Sequence, residues 1–199
     1  MEKLIVASKN KGKLREVAQI LQGIFEVVPM SALGIEADIE ENGETFADNA
    51  RIKARYVYAQ TGLAALADDS GLCVDALGGA PGVYSARYAG EHGNDKANNA
   101  LLLRNLAGID ERTARFVSAV TLCSPLGEWT ATGAVEGRIL HKEEGEEGFG
   151  YDPLFYCTEI GKPFGVATAE EKNAVSHRAR ALHALVAQLK ASGKFGGER

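Results

Sequence analysis

Apolar residues are arranged along the chain either in short unbroken runs or in stripes of helical spacing. The run Lys3 to Ala7 reads as a short central strand, and Leu14, Val17, Ala18 and Leu21 behind it predict a helix that Gly23 stops. Phe25 to Pro29 reads as a second strand, and Leu33 to Asn42 as a polar connection. Thr45 with Asp48 resembles a capping box, with Asp in the place usually held by Glu or Gln. The helix it opens has Phe46, Ala50, Ala54 and Val57 as its apolar stripe, runs to about Gln60, and has Gly62 beyond it. Asn49 and Lys53, four apart, share another face of that helix. Leu63 to Ala67 and Leu72 to Ala76 read as short extended segments. Asn94 or Asp95 caps a helix through Leu106, with Leu101, Leu102 and Leu106 facing the core. Arg115 to Cys123, the turn Pro125-Leu126-Gly127, and Trp129 to Leu140 make the clearest hairpin, interrupted by Gly133 and Gly137. Residues 112–145 therefore read as a smaller lobe or an extension of the sheet within a single domain. Val175, Ala179, Leu182, Val186 and Leu189 trace a C-terminal helix capped by Ser176, or by Thr168 if it is longer; Ala191 to Arg199 reads as a frayed tail.

Composition narrows the class without naming a function. A chain of 199 residues with 45% hydrophobic and 25% charged residues is large enough for one sizeable domain or two small lobes. The net charge of -5 disfavours a broad duplex-DNA surface but leaves room for one basic pocket that takes a small polyanion. Cys73, Cys123 and Cys157 lie far apart in apolar runs without metal-finger spacing, which reads as buried free thiols in a reducing compartment. The first apolar run is too short for a signal peptide and no window approaches a membrane span, so a cytoplasmic protein without membrane partners is expected.

Candidate chemistry centres on Ala67-Asp68-Asp69-Ser70-Gly71-Leu72, where two adjacent acids interrupt apolar sequence. A carboxylate in such a setting must be paired, hydrogen-bonded or metal-bound. Adjacent acids repel, and a divalent cation relieves that repulsion. The stretch therefore predicts a metal-assisted site centred on Asp69; the other reading is a tight turn using Asp68 and Ser70 as local caps. Ser8-Lys9-Asn10-Lys11-Gly12-Lys13 lies between a strand and a helix N-terminus, which is good ground for phosphate, although it has neither Walker spacing nor GxGxxG. Its plainer reading is a solvated turn. Lys53 reaches a phosphate if its face looks into a cleft. The acidic, glycine-bearing run Lys142 to Gly148 reads as mobile. Phe149-Gly150-Tyr151-Asp152-Pro153 suggests a rigid loop presenting a ring to a nucleobase, or aromatic packing beside a turn. Lys172, His177 and Arg178 near a helix start run against the helix dipole, which makes sense if something anionic or polar binds there.

Six patches together resemble one family, the non-canonical purine nucleoside triphosphate pyrophosphatases (inosine/xanthosine triphosphate pyrophosphatases, Ham1-like). They are the Ser8 to Lys13 loop, Gly43 to Ala50 with Lys53-Ala54, Ala67 to Leu72, Pro81 to Tyr88, Gly148 to Pro153, and Glu171-Lys172-Asn173 with Ser176-His177-Arg178. The resemblance implies an α/β fold, a mixed sheet with flanking helices, and two lobes around a long nucleotide-binding cleft. It implies a cytosolic, Mg²⁺-dependent homodimer that cleaves the α–β phosphoanhydride of ITP, dITP and XTP, giving the monophosphate and pyrophosphate. By resemblance, Ser8, Lys9, Asn10, Lys11, Gly12 and Lys13 form the triphosphate loop, and Lys53 is a second phosphate contact. Asp69 is metal ligand and water activator, Asp68 supports it, and Glu40 or Glu41 completes the metal site, with Glu40 preferred by position. A free Asp has a pKa near ~4, so Asp69 is read mainly as ligand and water orienter. Ser70 is a substrate contact. Phe149, Gly150, Tyr151 and Asp152 form the base loop with Phe149 stacking. Lys172, His177 and Arg178 contact the purine and its 6-oxo group.

A donor such as Arg178 or His177 suits a keto oxygen at C6 and is left unpaired by adenine. One stretch departs from the family: Pro163-Phe164-Gly165-Val166-Ala167 stands where many members have Thr-Phe-Ala-Glu-Leu, so Val166 replaces a Glu. Rival readings are a housecleaning pyrophosphatase for other modified nucleotides, a nucleotide-binding regulator without turnover, and a single-stranded nucleic-acid binder. The acidic net charge and scattered basic residues disfavour the last.

Overall fold

The structure is a computed structural model that describes residues 2–193. Seven strands form one mixed sheet in the order β2-β1-β3-β4-β5-β6-β7: β1 Glu2–Val6, β2 Phe25–Pro29, β3 Ala65–Val74, β4 Thr113–Ser124, β5 Gly127–Ile139, β6 Phe155–Cys157 and β7 Lys162–Pro163. Strand β1 runs parallel to β2 and β3, whereas β5–β6 and β6–β7 are antiparallel. The helices are α1 Lys11–Ile20, α2 Phe46–Thr61, α3 Asp95–Asn105, α4 Ala169–Val175 and α5 His177–Ala191. No helix among the described residues is long and apolar enough to cross a membrane. Contacts divide the chain into two compact units. The first holds the chain up to Asp69, Ser118–Gly133 and the chain from Arg178; the second holds Ser70–Val117 and Ala134–His177. The hairpin region 112–145, expected as a small lobe or an extension, is thus shared between the units.

In the first unit, alternation along each strand sorts the side chains onto two apolar layers. Leu4, Val6, Leu66, Val120 and Leu122 pack with Val17 and Leu21 of α1 and with Leu182, Leu185 and Leu189 of α5. Ile5, Ala7, Ala65, Ala67 and Cys123 pack with Ala54 and Val57 of α2. Both faces are covered, which is why these strands read as unbroken apolar runs. Helix α1 starts where Asn10 accepts the Lys13 N–H, and α2 where Thr45 accepts the Asp48 N–H. The Asp48 carboxylate takes the Thr45 hydroxyl rather than closing a full capping box.

The second unit has its own core of Leu72, Val74, Leu102, Phe116, Val135, Leu154, Phe155 and Phe164. The C-terminal helix is two helices: Thr168 opens α4 through a complete capping box with Glu171, and extended backbone at Ser176 separates it from α5. Of the two expected caps, Thr168 opens α4, and Ser176 is the residue at which α4 ends before α5 begins. The run Lys142 to Gly148, expected to be mobile, is tied down by Glu144 N–H to the Pro153 carbonyl (2.8 Å) and Glu147 N–H to the Gly165 carbonyl (2.9 Å). Val166, which stands in place of a Glu, is 47% exposed beside that run.

Gly137 sits opposite Cys157 in the β5–β6 ladder, and a Cβ there would overlap the Tyr156 carbonyl and the Phe155 ring. Gly137→Ala is expected to lower stability by ~1–3 kcal/mol, the usual cost of overpacking, read as a lower denaturation midpoint at unchanged m-value. The thiols give a second check. Cys157 is fully buried, and Cys123 is buried with its Sγ 3.4 Å from the Glu128 carboxylate. Burial and that carboxylate push the Cys123 thiol up to about 12. Cys73 is half-buried, and burial raises its pKa as well. A disulfide reagent at pH 8 should titrate no more than one thiol slowly in the native protein and all three after denaturation; rapid native reaction of all three would contradict the packing.

Candidate active site

Asp68 and Asp69 lie inside β3, neither between two short strands nor in a tight turn. Because side chains alternate along a strand, the two carboxylates leave it on opposite faces. Asp68 continues the Leu66 side and meets α1 and α5; Asp69 continues the Ala65–Ala67 side and meets α2. Each acid therefore has cationic partners of its own: Lys13 and Arg178 for Asp68, Lys53 for Asp69.

On the α1–α5 side, Asp68 is 2% exposed and saturated with donors. Lys13 Nζ approaches Oδ1 at 2.8 Å, the Ser118 hydroxyl donates to Oδ2 at 2.6 Å, and Arg178 donates from Nε and a terminal nitrogen, each at 3.2 Å. The second terminal nitrogen of Arg178 pairs with Glu16. Burial alone would raise the Asp68 pKa, but Arg178, Lys13 and Ser118 outweigh it and hold the group well below the carboxylate range. Arg178 is 1% exposed, with its guanidinium bound to two carboxylates. Arg178, expected to contact the purine, pairs in the structure with Asp68 and Glu16. Glu16 and Ser118 did not stand out in the sequence, although Glu16 lies three residues beyond Lys13 on the same helix face, and Ser118 shares strand parity with Val120 and Leu122.

On the α2 side, the face carrying Asn49 and Lys53 meets Asp69. Lys53 Nζ is 3.2 Å from Asp69 Oδ1 and 2.9 Å from Glu41 Oε1, and the Asn49 amide donates to Asp69 Oδ2 at 3.2 Å. Asn49 also accepts the Gly43 N–H at 2.8 Å, which fixes the segment leading to Glu41. Of the two candidate acids, Glu41 is half-buried and pairs with Lys53, whereas Glu40 is exposed. Burial raises the Asp69 pKa, with Glu41 and Asp68 adding to it against Lys53 and Lys13. Burial would also raise Glu41, but Lys53 reverses that and keeps it low. Among the described residues no group of three or more His, Cys, Asp or Glu could hold a metal by itself. Glu41 and Asp69, two hard carboxylates on either side of one ammonium, are the residues that would hold a divalent cation here.

The Ser8 to Lys13 loop joins β1 to α1. The Ser8 hydroxyl accepts the Asn10 N–H at 3.1 Å, Lys9 pairs with Asp38 at 2.6 Å, and Lys11 and Gly12 form the first helical turn. Ser70 is half-buried on β3 immediately after Asp69.

In the second unit, the Phe149 to Asp152 loop is built around a buried ion pair. Asp152 Oδ2 accepts the Phe149 N–H at 2.8 Å and Lys172 Nζ at 2.6 Å. The Lys172 ammonium stands 4.9 Å from the Phe149 ring centroid and 5.5 Å from that of Phe164. Phe149 is half-buried, whereas Tyr151 is buried and donates its hydroxyl to the Ser85 carbonyl at 2.8 Å. The glycine between two aromatics thus presents one ring and buries the other. His177 is buried and stacked on Phe116, centroids 4.9 Å apart.

A family model described as the Ham1 family matches residues 4–188. This chain belongs to the Ham1 family. It is 51% identical over 193 residues to the dITP/XTP pyrophosphatase of Geobacter sulfurreducens, covering 93% of this chain and 95% of that protein. It is 48% identical to the dITP/XTP pyrophosphatase of Haemophilus influenzae, covering 94% and 99%. Among solved structures, the Ham1 protein of Staphylococcus aureus superposes with a TM-score of 0.85 at 38% identity, covering 96% of this chain and 100% of that one. The mixed sheet with flanking helices is the fold of this family.

Proposed function

We propose that this Ham1-family chain is a Mg²⁺-dependent pyrophosphatase that cleaves the α–β phosphoanhydride of dITP, XTP and ITP, releasing the monophosphate and pyrophosphate. The observation that carries the reading is the convergence of Asp69, Glu41, Lys53 and Asn49 on one face of β3. The names of relatives at about half identity supply the substrate class. Glu41 and Asp69 would hold the ion, which when bound supplies positive charge to the phosphate oxygens and to the departing pyrophosphate. Asp69, held by Asn49 and Lys53, orients the attacking water by accepting a hydrogen bond from it. Lys53 neutralises phosphate charge, and Lys13 with the Ser8 to Gly12 loop binds the triphosphate. Asp68 is assigned to holding Lys13 and Arg178 in place rather than to chemistry. Phe149 stacks on the base, and Lys172 and His177, rather than Arg178, are the donors offered to the 6-oxo group. A keto oxygen at C6 pairs with such a donor, whereas adenine leaves it unpaired at a cost of about 1–3 kcal/mol. The chain acts in the cytoplasm as a homodimer and clears deaminated purines from the nucleotide pool.

The test is a timed incubation with Mg²⁺ and ITP, dITP, XTP, GTP, ATP or dUTP, with products resolved by anion exchange. IMP or XMP with pyrophosphate is expected, and turnover should cease when the metal is chelated. Release of a diphosphate and orthophosphate would overturn the choice of bond. Preferred turnover of dUTP would favour the rival housecleaning reading.

A further inference from the structure

Helix α3 has no part in the proposed chemistry, yet it buries two adjacent asparagines, Asn98 and Asn99, at 2% and 4% exposure. Buried amides are kept where their hydrogen bonds specify a backbone conformation that apolar packing alone would leave open. Asn99 donates from Nδ2 to the Gly150 carbonyl at 3.2 Å and to Glu143 Oε1 at 2.8 Å. One turn earlier on the same face, Asp95 Oδ2 accepts the Gly150 N–H at 2.8 Å. Both polar groups of one peptide position are thus held by residues i and i+4 of a helix. Gly150 is a left-handed residue, φ 63°, between Phe149 and Tyr151, so gripping it sets the directions of both rings.

The neighbouring Asn98 extends the grip. It accepts the Ala89 N–H at 2.8 Å and donates to the Ala86 carbonyl at 3.3 Å, fixing the segment whose Ser85 carbonyl receives the Tyr151 hydroxyl. At the far end of α3, Arg112 donates to the Leu106, Ile109 and Leu140 carbonyls, and Leu140 begins the run that returns at Gly150. Helix α3 therefore holds the end of that run through Asp95 and Asn99 and the buried ring through Asn98, and Arg112, beyond the helix, ties Leu140 at its start to Leu106.

We propose that Asp95 and Asn99 are positioning residues for base recognition: they clamp Gly150 so that the Phe149 ring is presented in one orientation, and thereby set base affinity and selectivity without touching substrate. This rests on the assignment of the Phe149 loop to the purine. The clamp belongs to the second unit and the cluster around Asp69 to the first, and the two share no residue, so its loss should move KM and leave kcat in place.

The variants are Asp95→Ala, which removes the acceptor; Asp95→Asn, which keeps one; and Asn99→Asp, which is isosteric but replaces the donor with an acceptor facing Glu143. Each is assayed for KM and kcat on ITP and GTP, for IMP affinity, for thermal midpoint, and for Gly150 amide exchange by residue-resolved NMR. Asp95→Ala and Asn99→Asp are expected to raise KM for ITP and Kd for IMP about tenfold, with kcat within about twofold and a reduced ITP-over-GTP preference. Exchange at Gly150 should quicken by about tenfold in both, and Asp95→Asn should restore exchange and KM together. Faster exchange with unchanged KM and Kd would overturn the proposal. So would equal loss of kcat and KM tracking the thermal midpoint without rescue by Asn, because that marks general destabilisation. If the wild-type protein turns over no purine triphosphate, the function proposed above fails. Exchange and IMP binding then still judge the clamp, and unprotected Gly150 or unaltered IMP affinity would sink it.

Discussion

Exchanging Asp69 for Asn should lower kcat on ITP or XTP by about 10²–10⁴-fold, the range supplied by a positioned proton acceptor, with little change in the thermal midpoint. The substitution keeps the shape and one acceptor oxygen, so Lys53 retains Glu41 and a neutral partner on β3. What is lost, on the proposed assignment, is the charge that would ligate the ion and the carboxylate oxygen that would accept a hydrogen bond from the attacking water. Lys53→Met should act differently. It removes a cation between two carboxylates, which Mg²⁺ then compensates in part, so the loss should shrink as Mg²⁺ is raised. Rates measured across a Mg²⁺ series distinguish the two, and an Asp69→Asn protein retaining more than a tenth of wild-type kcat would displace Asp69 from its proposed role.

The second large effect is on stability. Arg178→Ala leaves Asp68 and Glu16 buried without the guanidinium they share, and breaking a buried pair in this way costs about 3–5 kcal/mol. For a chain of this size that is a fall in thermal midpoint of roughly 6–20 °C. Arg178→Lys should recover little, because a point charge cannot reproduce the two bonds to Asp68 together with the one to Glu16. Adding Glu16→Gln to Arg178→Ala should return part of the loss, since one stranded charge is gone. Calorimetry on the four proteins decides the matter. A full rise in KM for ITP with an unmoved midpoint would return Arg178 to the purine.

Much of the fold was legible because it depends on neighbours in sequence. The strand at Phe25–Pro29, the caps at Thr45, Asn94 and Thr168, and the hairpin around Pro125-Leu126-Gly127 follow from local periodicity and turn chemistry. The anticipated shared face of Asn49 and Lys53 is the face that meets Asp69. The Lys142 to Gly148 run misled because its composition is that of a mobile segment, whereas its backbone bonds go to Pro153 and Gly165, which sequence proximity does not reveal.

The sequence by itself determined the inventory: two acids in apolar surroundings, a lysine-rich turn before a helix, an aromatic loop with one glycine, and cations at the start of the last helix. Only the tertiary structure decided who meets whom. Asp68 and Asp69 appeared as one repelling pair because adjacency is all a sequence displays. Setting them in the interior of a strand sends one carboxylate to Lys13, Ser118 and Arg178 and the other to Lys53, Asn49 and Glu41. The reason is the two-residue period of a β-strand. One step along the chain reverses the face, and covering helices on both faces give the two acids unlike partners, unlike ionisation and unlike roles.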